Sequence, residues 1–450
     1  MFRRILIANR GEIALRVLRA CQELGCETVC VFSEEDRSAP FLDLADRAIC
    51  IGGSAPKDSY LKSDRIIAAA EITGADAIHP GYGFLSENAQ FAEKVRASKI
   101  EFIGPSAETM RMVGDKNSAR ALAKKARVPV VPGSDGLLDQ EFDPKEVGEA
   151  IGFPLMIKAS AGGGGRGMRV VRKEEEFIDA VKQARQEAKN AFNNSDVYVE
   201  KLIMNPRHVE VQIMADAHNR VVHLGERDCT TQRRHQKLIE ESPSPSIDPR
   251  TRRDLCASAV KLAKAANYLG AGTVEFLVDE RGKYYFIEVN ARIQVEHPVS
   301  EMVSGIDLIK SQILCAAGEA LEYSQRSIKF EGHALECRIN AEDADSNFRP
   351  CPGPVHKFRP PGGFGVRVDT YIQEGGRVSP YYDSLIAKVI VHQPTRIEAI
   401  RCMQRCLSEF KVEPIKTTIP FLRRILDHPD FLEGKFHTDF LDRAFLEPVA

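Results

Sequence analysis

"GTVEFLVDERGKYYFIEVNARIQVEHP" runs from Gly272 to Pro298, and its reading decides the fold. Two strand-forming runs flank the polar turn "ERGK", the pattern of an antiparallel hairpin. A turn centred between Arg281 and Gly282 sets Glu275 opposite Glu288 on one face, and Phe276 opposite Ile287 on the other. Opposed carboxylates repel, so the arrangement calls for a cation between them. Oxygen ligands favour Mg²⁺ or Mn²⁺ over zinc. If the strand stays extended, alternation puts Asn290, Arg292, Gln294 and Glu296 on the same face as Glu288. A solvated strand face would also alternate, and a slipped register would undo the pairing. The metal reading is preferred.

Upstream, "KASAGGGGRGMR" (158–169) holds five glycines between basic residues. Gly162, Gly164 and Gly167 formally satisfy G-x-G-x-x-G, but a dinucleotide site needs a helix directly after the loop. Here Val170 and Val171 follow, and no amphipathic helix begins before about Glu174. The sequence predicts strand–loop–strand. No Gly-Lys is followed by Ser or Thr, so the Walker pattern is not met. Glycine N–H groups can close over phosphates unobstructed, and a flexible loop can act as a lid. The alternative is a disordered surface loop.

Three other stretches are candidates. "ERDCTTQRRHQK" (226–237) gathers Gln232, Arg233, Arg234, His235 and Lys237, and alone reads as a solvated basic segment. "YVEKLIMNPRHVEVQ" (198–212) places Glu200, Lys201 and His208 near strands. "HPGYGFLSEN" (79–88) is a strand end with two glycines, where open α/β sheets bind ligands.

The N-terminal segment alternates strand and helix. "RILIAN" (4–9) reads as a buried strand. Ile13, Val17, Leu18 and Cys21 then recur at helical spacing up to Gly25, and "ETVCVFS" (27–33) is a second strand. Helices near 61–73 and 86–98 and strands at "DAIHP" and "EFIGP" repeat the pattern. Residues 1–113 are expected to form a doubly wound parallel α/β domain. A central segment, 114–329, mixes helices with antiparallel hairpins. A last block, 330–450, has strands at "VRVDT" and "LIAKVIVH" and a helix near 396–410.

A chain of 450 residues calls for two to four domains. Its 43% hydrophobic and 28% charged residues are ordinary for a globular protein. A net charge of −2 implies no broad attraction to nucleic acid or membrane surfaces. No signal-peptide core or membrane-length apolar run occurs. The eleven cysteines form no C-x-x-C pair, which fits reduced thiols and a cytoplasmic protein.

Together these stretches resemble the ATP-grasp enzymes, and within them the biotin carboxylases. The resemblance runs through "IANRGEIALRVLRA", "HPGYGFLSEN", "FIGP", "GDK", "KASAGGGGRGM", "ERDCTTQRRHQK", "FIEVNARIQVEHPV", "ECRINAED", "PPGGFGVR" and "YYDSLIAK". "NARIQVEHPV" and "RRHQK" are its most specific parts. It implies an α/β and α+β multidomain fold: an N-terminal parallel-sheet domain, a central ATP-grasp domain with a mobile lid at about 133–203, and a mixed C-terminal domain.

The resemblance also implies roles. Lys116 and Lys158 match the phosphate-contacting lysines, Gly164 and Gly165 the lid, and Glu200, Lys201, Leu202 and Ile203 the adenine hinge. His208, Gln232 and His235 match further nucleotide contacts. Glu275 and Glu288 match the metal ligands, with Asn290 beside them. Lys237, Arg292, Gln294 and Val295 match the bicarbonate cradle, Glu296 the general base, and Arg338 the group that stabilises the biotin enolate. Arg16, Arg19, Glu23, Phe364 and Arg367 lie where family members dimerise.

The implied reaction joins ATP, bicarbonate and biotin, through carboxyphosphate, into N1′-carboxybiotin. Met-Lys-Met, the usual biotin attachment turn, does not occur in the chain. Biotin is therefore expected on a separate biotin carboxyl carrier protein, with carboxyltransferase subunits acting next. Acetyl-CoA carboxylase, which makes malonyl-CoA for fatty-acid synthesis, is the commonest such system. A subunit of another acyl-CoA or pyruvate carboxylase is the runner-up. Another ATP-grasp ligase would lack "RIQVEHPV" and the Arg338 segment. A non-catalytic dinucleotide-binding module is disfavoured by "NRGE" after the first strand.

Overall fold

Strand Arg4–Ile7 has all four side chains buried, as the middle of a sheet covered on both faces requires. The computed structural model describes residues 1–450 except 135, 139–141, 161–167, 193 and 447–450, and for 144 and 192 the backbone alone. In the first sheet, five parallel strands run in the order Arg47–Gly52, Glu27–Ser33, Arg4–Ile7, Ala77–His79, Glu101–Phe102. Helices Gly11–Glu23, Ser63–Thr73 and Ala89–Ala97 link them. The doubly wound expectation holds. Strand Arg47–Gly52 was not anticipated: its apolar run, Ala48–Ile51, is short, and at the sheet edge only Ile51 is buried.

The C-terminal ends of these strands open towards the rest of the molecule. Asn9 Nδ2 donates to the carbonyls of Pro80 and Tyr82, both at 2.7 Å. Gly81 adopts φ +61°, and a Cβ there would lie 2.9 Å from Asn9 Nδ2. Only glycine allows this close approach.

The second sheet is antiparallel. Its eight strands run in the order Tyr284–Asn290, Gly270–Val278, Arg207–Ala215, Val221–Arg233, Gln236–Ser242, His333–Asn340, Leu385–Gln393, Val366–Thr370. The last three continue the sheet begun by the central segment, with Glu240 opposite Glu336 at the junction. Helix Pro249–Ala265 packs Leu255, Ala259 and Leu262 into one apolar cluster with Val209, Val211 and Val274.

A small third sheet pairs Leu155–Ala159 with Met168–Val171 and Val197–Lys201. Helix Phe177–Phe192 covers it through Val181 and Ala184. Lys158 lies opposite Met168, so strand–loop–strand is correct here, while the loop's Gly164 and Gly165 fall outside the described residues.

The hairpin at 270–290 corrects one expectation. Glu275 does face Glu288, but Phe276 pairs with Phe286 rather than Ile287. A bulge at Ile287 shifts the register by one residue, so the turn centres on Arg281 itself. The carboxylate pairing survives because the bulge offsets the misplaced turn centre. All eleven cysteines are free thiols. Among the described residues no helix is long and apolar enough to cross a membrane.

Candidate active site

The Glu275–Glu288 pair begins a charged row across the antiparallel sheet. Glu275 lies opposite Glu210 on the next strand, and Glu210 opposite Arg227 on the one after. Arg227 is fully buried and donates to Glu210 at 2.6 Å, Gln212 at 2.6 Å, Ser300 at 3.1 Å and Thr273 at 3.2 Å. An arginine this deep needs every donor engaged.

Lys237 adds the second cation. Its Nζ lies 2.6 Å from Glu210, 3.3 Å from Glu275 and 2.7 Å from Glu296. It starts from the hairpin between Val221–Arg233 and Gln236–Ser242, whose turn residues Arg234 and His235 both adopt positive φ, +47° and +68°. A two-residue turn with this backbone matches the twist of its strands. The expected solvated basic segment is therefore wrong for Lys237 and Gln232, which face inward, and right for the exposed turn itself.

Strand Tyr284–Asn290 stops at Asn290, so alternation does not carry Gln294 and Glu296 to the site. They arrive another way. The chain turns, and Glu296 becomes the residue preceding helix His297–Ser304. Gln294 Nε2 then donates to Glu275 at 3.0 Å, as Asn290 Nδ2 does at 2.7 Å. Glu296, fully buried, accepts from Lys237 and, at 2.9 Å, from Arg338. Arg338 also donates to Glu240 at 2.6 Å. Burial alone would raise Glu296, but Lys237, Arg338 and Arg227 outweigh it and hold the carboxyl well below its usual range.

Arg292 is oriented by a residue that the sequence analysis did not single out. Glu87, from "HPGYGFLSEN", accepts from Arg292 Nε at 2.8 Å and from the Ala291 amide at 2.9 Å. Nothing local marks Glu87; it meets Arg292 from 205 residues away. The Val295 carbonyl accepts from buried Lys388 at 2.9 Å.

At the other end of the cavity, Glu200 sits between two cations. Lys158 donates to it at 2.6 Å, and Arg120 makes a short bond to its other oxygen. Arg120, also unforeseen, reaches the Val131 carbonyl at 2.7 Å as well. Lys201 turns its ammonium to the carbonyls of Gly152 and Phe153, at 2.9 and 2.6 Å. His208 Nε2 lies 2.7 Å from Glu275, and its Nδ1 lies 3.4 Å from Gln232. Leu202, Ile203, Lys116 and His235 line the same space.

That space is a cavity of about 1190 Å³ bounded by the antiparallel sheet, the small third sheet and the segments that follow the strands of the first. Every described residue expected at the site borders it except Glu296, which lies buried behind Lys237 and Arg338. The cavity is large enough for a nucleotide together with a second small molecule.

The donor set fits a hard divalent cation. Glu275 is held well below its usual range: burial opposes this, but Lys237 and His208 prevail. Glu288 is raised by burial and by Glu275, with Lys116, His208 and Lys237 only partly compensating. One ionised and one strained carboxylate, with the Asn290 amide beside them, are ligands Mg²⁺ or Mn²⁺ would satisfy.

Comparison with known proteins places the whole chain. Residues 1–110 match the family described as "Biotin carboxylase, N-terminal domain". Residues 115–324 match "Carbamoyl-phosphate synthase L chain, ATP binding domain". Residues 336–443 match "Biotin carboxylase C-terminal domain". Biotin carboxylase 1 of Bacillus subtilis is 54% identical over 443 residues, 98% of each chain. A biotin carboxylase from Campylobacter jejuni, solved as a β,γ-ATP complex, superposes with TM-score 0.93 at 50% identity, covering 98% of this chain and 99% of that one. The biotin carboxylase domain dimer of Hydrogenobacter thermophilus 2-oxoglutarate carboxylase, solved with MgADP, ADP and bicarbonate, superposes with TM-score 0.92 at 48% identity, covering 98% of both chains.

Proposed function

The chain belongs to the biotin carboxylase family of ATP-grasp ligases and catalyses the ATP-dependent carboxylation of biotin, and from that premise we propose how its residues divide the work. One observation carries the assignment: Lys237, Arg338 and the Glu275–Glu288 pair line one cavity, and Glu296 lies directly behind Lys237 and Arg338, so four separate segments meet there.

The nucleotide occupies the end lined by Glu200, Lys201, Leu202, Ile203, His208, Gln232 and His235. Lys116 and Lys158 meet its phosphates, and Lys158 exchanges Glu200 for them. Glu275, Glu288 and Asn290 hold Mg²⁺ or Mn²⁺, which when bound neutralises charge on the triphosphate.

Bicarbonate lies against Arg292, Gln294, Val295 and Lys237. A planar guanidinium held by Glu87 suits its planar oxygens. An oxygen of bicarbonate attacks the γ-phosphorus, the bond to the ADP oxygen breaks, and Glu296 takes the bicarbonate proton. Glu296 is a weak base while Lys237 and Arg338 both hold it. Anionic substrates competing for those cations raise its affinity for a proton at the moment of reaction. Carboxyphosphate then breaks at its C–O bond into CO₂ and phosphate. The phosphate takes the N1′ proton of biotin, N1′ bonds to CO₂, and Arg338 faces the developing ureido oxyanion.

On this reading, residues 1–113, 114–329 and 330–450 are the functional domains. Biotin arrives on a carrier protein, and the enzyme works as a homodimer through the face of Arg16, Arg19, Glu23, Phe364 and Arg367. Phe364 is 89% exposed, which supports a covered position in the assembly. We favour acetyl-CoA carboxylase as the system served. The 54% identity to Bacillus subtilis biotin carboxylase 1 supports a stand-alone biotin carboxylase subunit, and a pyruvate or 2-oxoglutarate carboxylase subunit, at 49% and 48%, is the second reading.

The test is ADP formation from ATP, Mg²⁺ and bicarbonate, with and without free biotin, in wild type and Glu296→Ala. Biotin-stimulated turnover that needs bicarbonate and is lost in Glu296→Ala supports the residue roles. Turnover retained in Glu296→Ala removes the general-base assignment.

A further inference from the structure

Lys388 is fully buried. It ends the "YYDSLIAK" stretch, yet no role was read for it there and the proposed chemistry does not use it. It lies directly opposite Arg338 in the antiparallel ladder. Its Nζ donates to the Val295 carbonyl at 2.9 Å and lies 3.0 Å from Glu12 Oε1 and 3.8 Å from Asp369. Glu12 also accepts a short hydrogen bond from Tyr82, on the cavity wall. Asp369 is gripped by Arg367 at 2.7 and 2.8 Å, and Arg367 reaches Glu301 at 2.7 Å.

A buried ammonium carries a large desolvation cost that only counter-charges and hydrogen bonds offset. An apolar side chain would fill the same space without that cost. The two carboxylates near it, Glu12 and Asp369, balance its charge, and its hydrogen bond to the Val295 carbonyl fixes a peptide. That peptide joins Val295 to Glu296, in the turn just before helix His297–Ser304. With its carbonyl anchored, the direction in which Glu296 leaves the backbone is set, and so is its reach to Lys237 and Arg338.

We propose that Lys388 is a positioning residue for carboxylation: it holds the Val295 carbonyl and thereby aims the Glu296 carboxylate. This rests on the roles given above to Glu296 and Val295. Glu12, on helix Gly11–Glu23, and Asp369, on strand Val366–Thr370, are its counter-charges, so three separate parts of the chain fix one peptide.

Lys388→Met alone strands Glu12, so the experiment compares Lys388→Met/Glu12→Gln with Glu12→Gln. Thermal melting first verifies that both are folded. Steady-state constants for ATP and bicarbonate are then measured, with carboxybiotin formed per ATP cleaved. Misplacing a reacting group by about 1 Å can cost on the order of 100-fold. The expected result is a kcat at least ~10-fold below Glu12→Gln, a raised bicarbonate KM, fewer carboxybiotin per ATP, and an ATP KM within about twofold. A double variant that melts lower yet keeps kcat, bicarbonate KM and coupling within about twofold of Glu12→Gln overturns the proposal and leaves Lys388 a packing residue. Glu296→Ala is run alongside: if it retains full turnover, the general-base reading fails and this role falls with it. If it is inactive while the double variant is normal, only this role fails.

Discussion

Arg338 donates a hydrogen bond of 2.9 Å to Glu296, joining strand His333–Asn340 to the residue before helix His297–Ser304. The guanidinium is one of three cations that depress the Glu296 carboxyl. Removing it raises that carboxyl, so Glu296 stays protonated to higher pH and cannot accept a proton there. Arg338→Met is expected to move the acid limb of the kcat/KM profile to higher pH and to lower kcat by ~10²–10³. Rate profiles from pH 5.5 to 8.5 check it.

Glu288 faces Glu275, and burial together with that carboxylate outweighs Lys116, His208 and Lys237 in raising it. Glu288→Gln removes the repulsion and is expected to stabilise the metal-free protein by up to about 1 kcal/mol. It also removes a proposed ligand, so turnover falls by about 100-fold. Melting with and without Mg²⁺ separates the effects: wild type gains more from the metal than the variant does.

Glu87 orients Arg292 through two contacts, at 2.8 and 2.9 Å. Glu87→Gln keeps the shape and loses the charge. A charge-assisted hydrogen bond contributes roughly 1.5–3 kcal/mol, so the bicarbonate KM is expected to rise about tenfold or more. The ATP KM is expected to stay put, which steady-state titration of each substrate shows.

Lys158 shares Glu200 with Arg120. Lys158→Met leaves Glu200 its second partner, so the fold tolerates the change. The expected loss is in nucleotide affinity, ~10–100-fold in ATP Kd by calorimetry. An unchanged Kd would remove Lys158 from the phosphate site.

Glu240, buried beneath Arg338, is pushed up to about 7 by burial, which outweighs the arginine. A carboxyl raised above its ordinary value of 4.5 takes up a proton on folding between those two values. Its contribution to stability is full below pH 4.5 and is lost as pH rises through 7. Tm should therefore decline over that window, and Glu240→Gln should flatten the decline. Differential scanning calorimetry from pH 5 to 8 measures both slopes.

The parallel N-terminal sheet was legible because its inner strands are continuous apolar runs, as Arg4–Ile7 and Glu27–Ser33 show. Edge strand Arg47–Gly52 was not, since a four-residue apolar run, Ala48–Ile51, does not by itself tell a strand from a buried helix segment. The Glu275–Glu288 pair was readable from hairpin alternation, a local property fixed by strand geometry. The bulge at Ile287 was not, and neither was the turn that brings Gln294 and Glu296 back to the site.

By itself the sequence determined which residue types exist for the chemistry and which local elements carry them. Periodicity and turn residues encode neighbours a few positions apart. The tertiary structure alone decided that Glu87 meets Arg292, that Arg120 shares Glu200 with Lys158, and that Lys388 anchors the carbonyl beside Glu296. These contacts span roughly 40 to 200 residues of chain. They arise only when separate sheets pack and buried charges find partners, because a charge taken out of water requires a counter-charge wherever the fold supplies one.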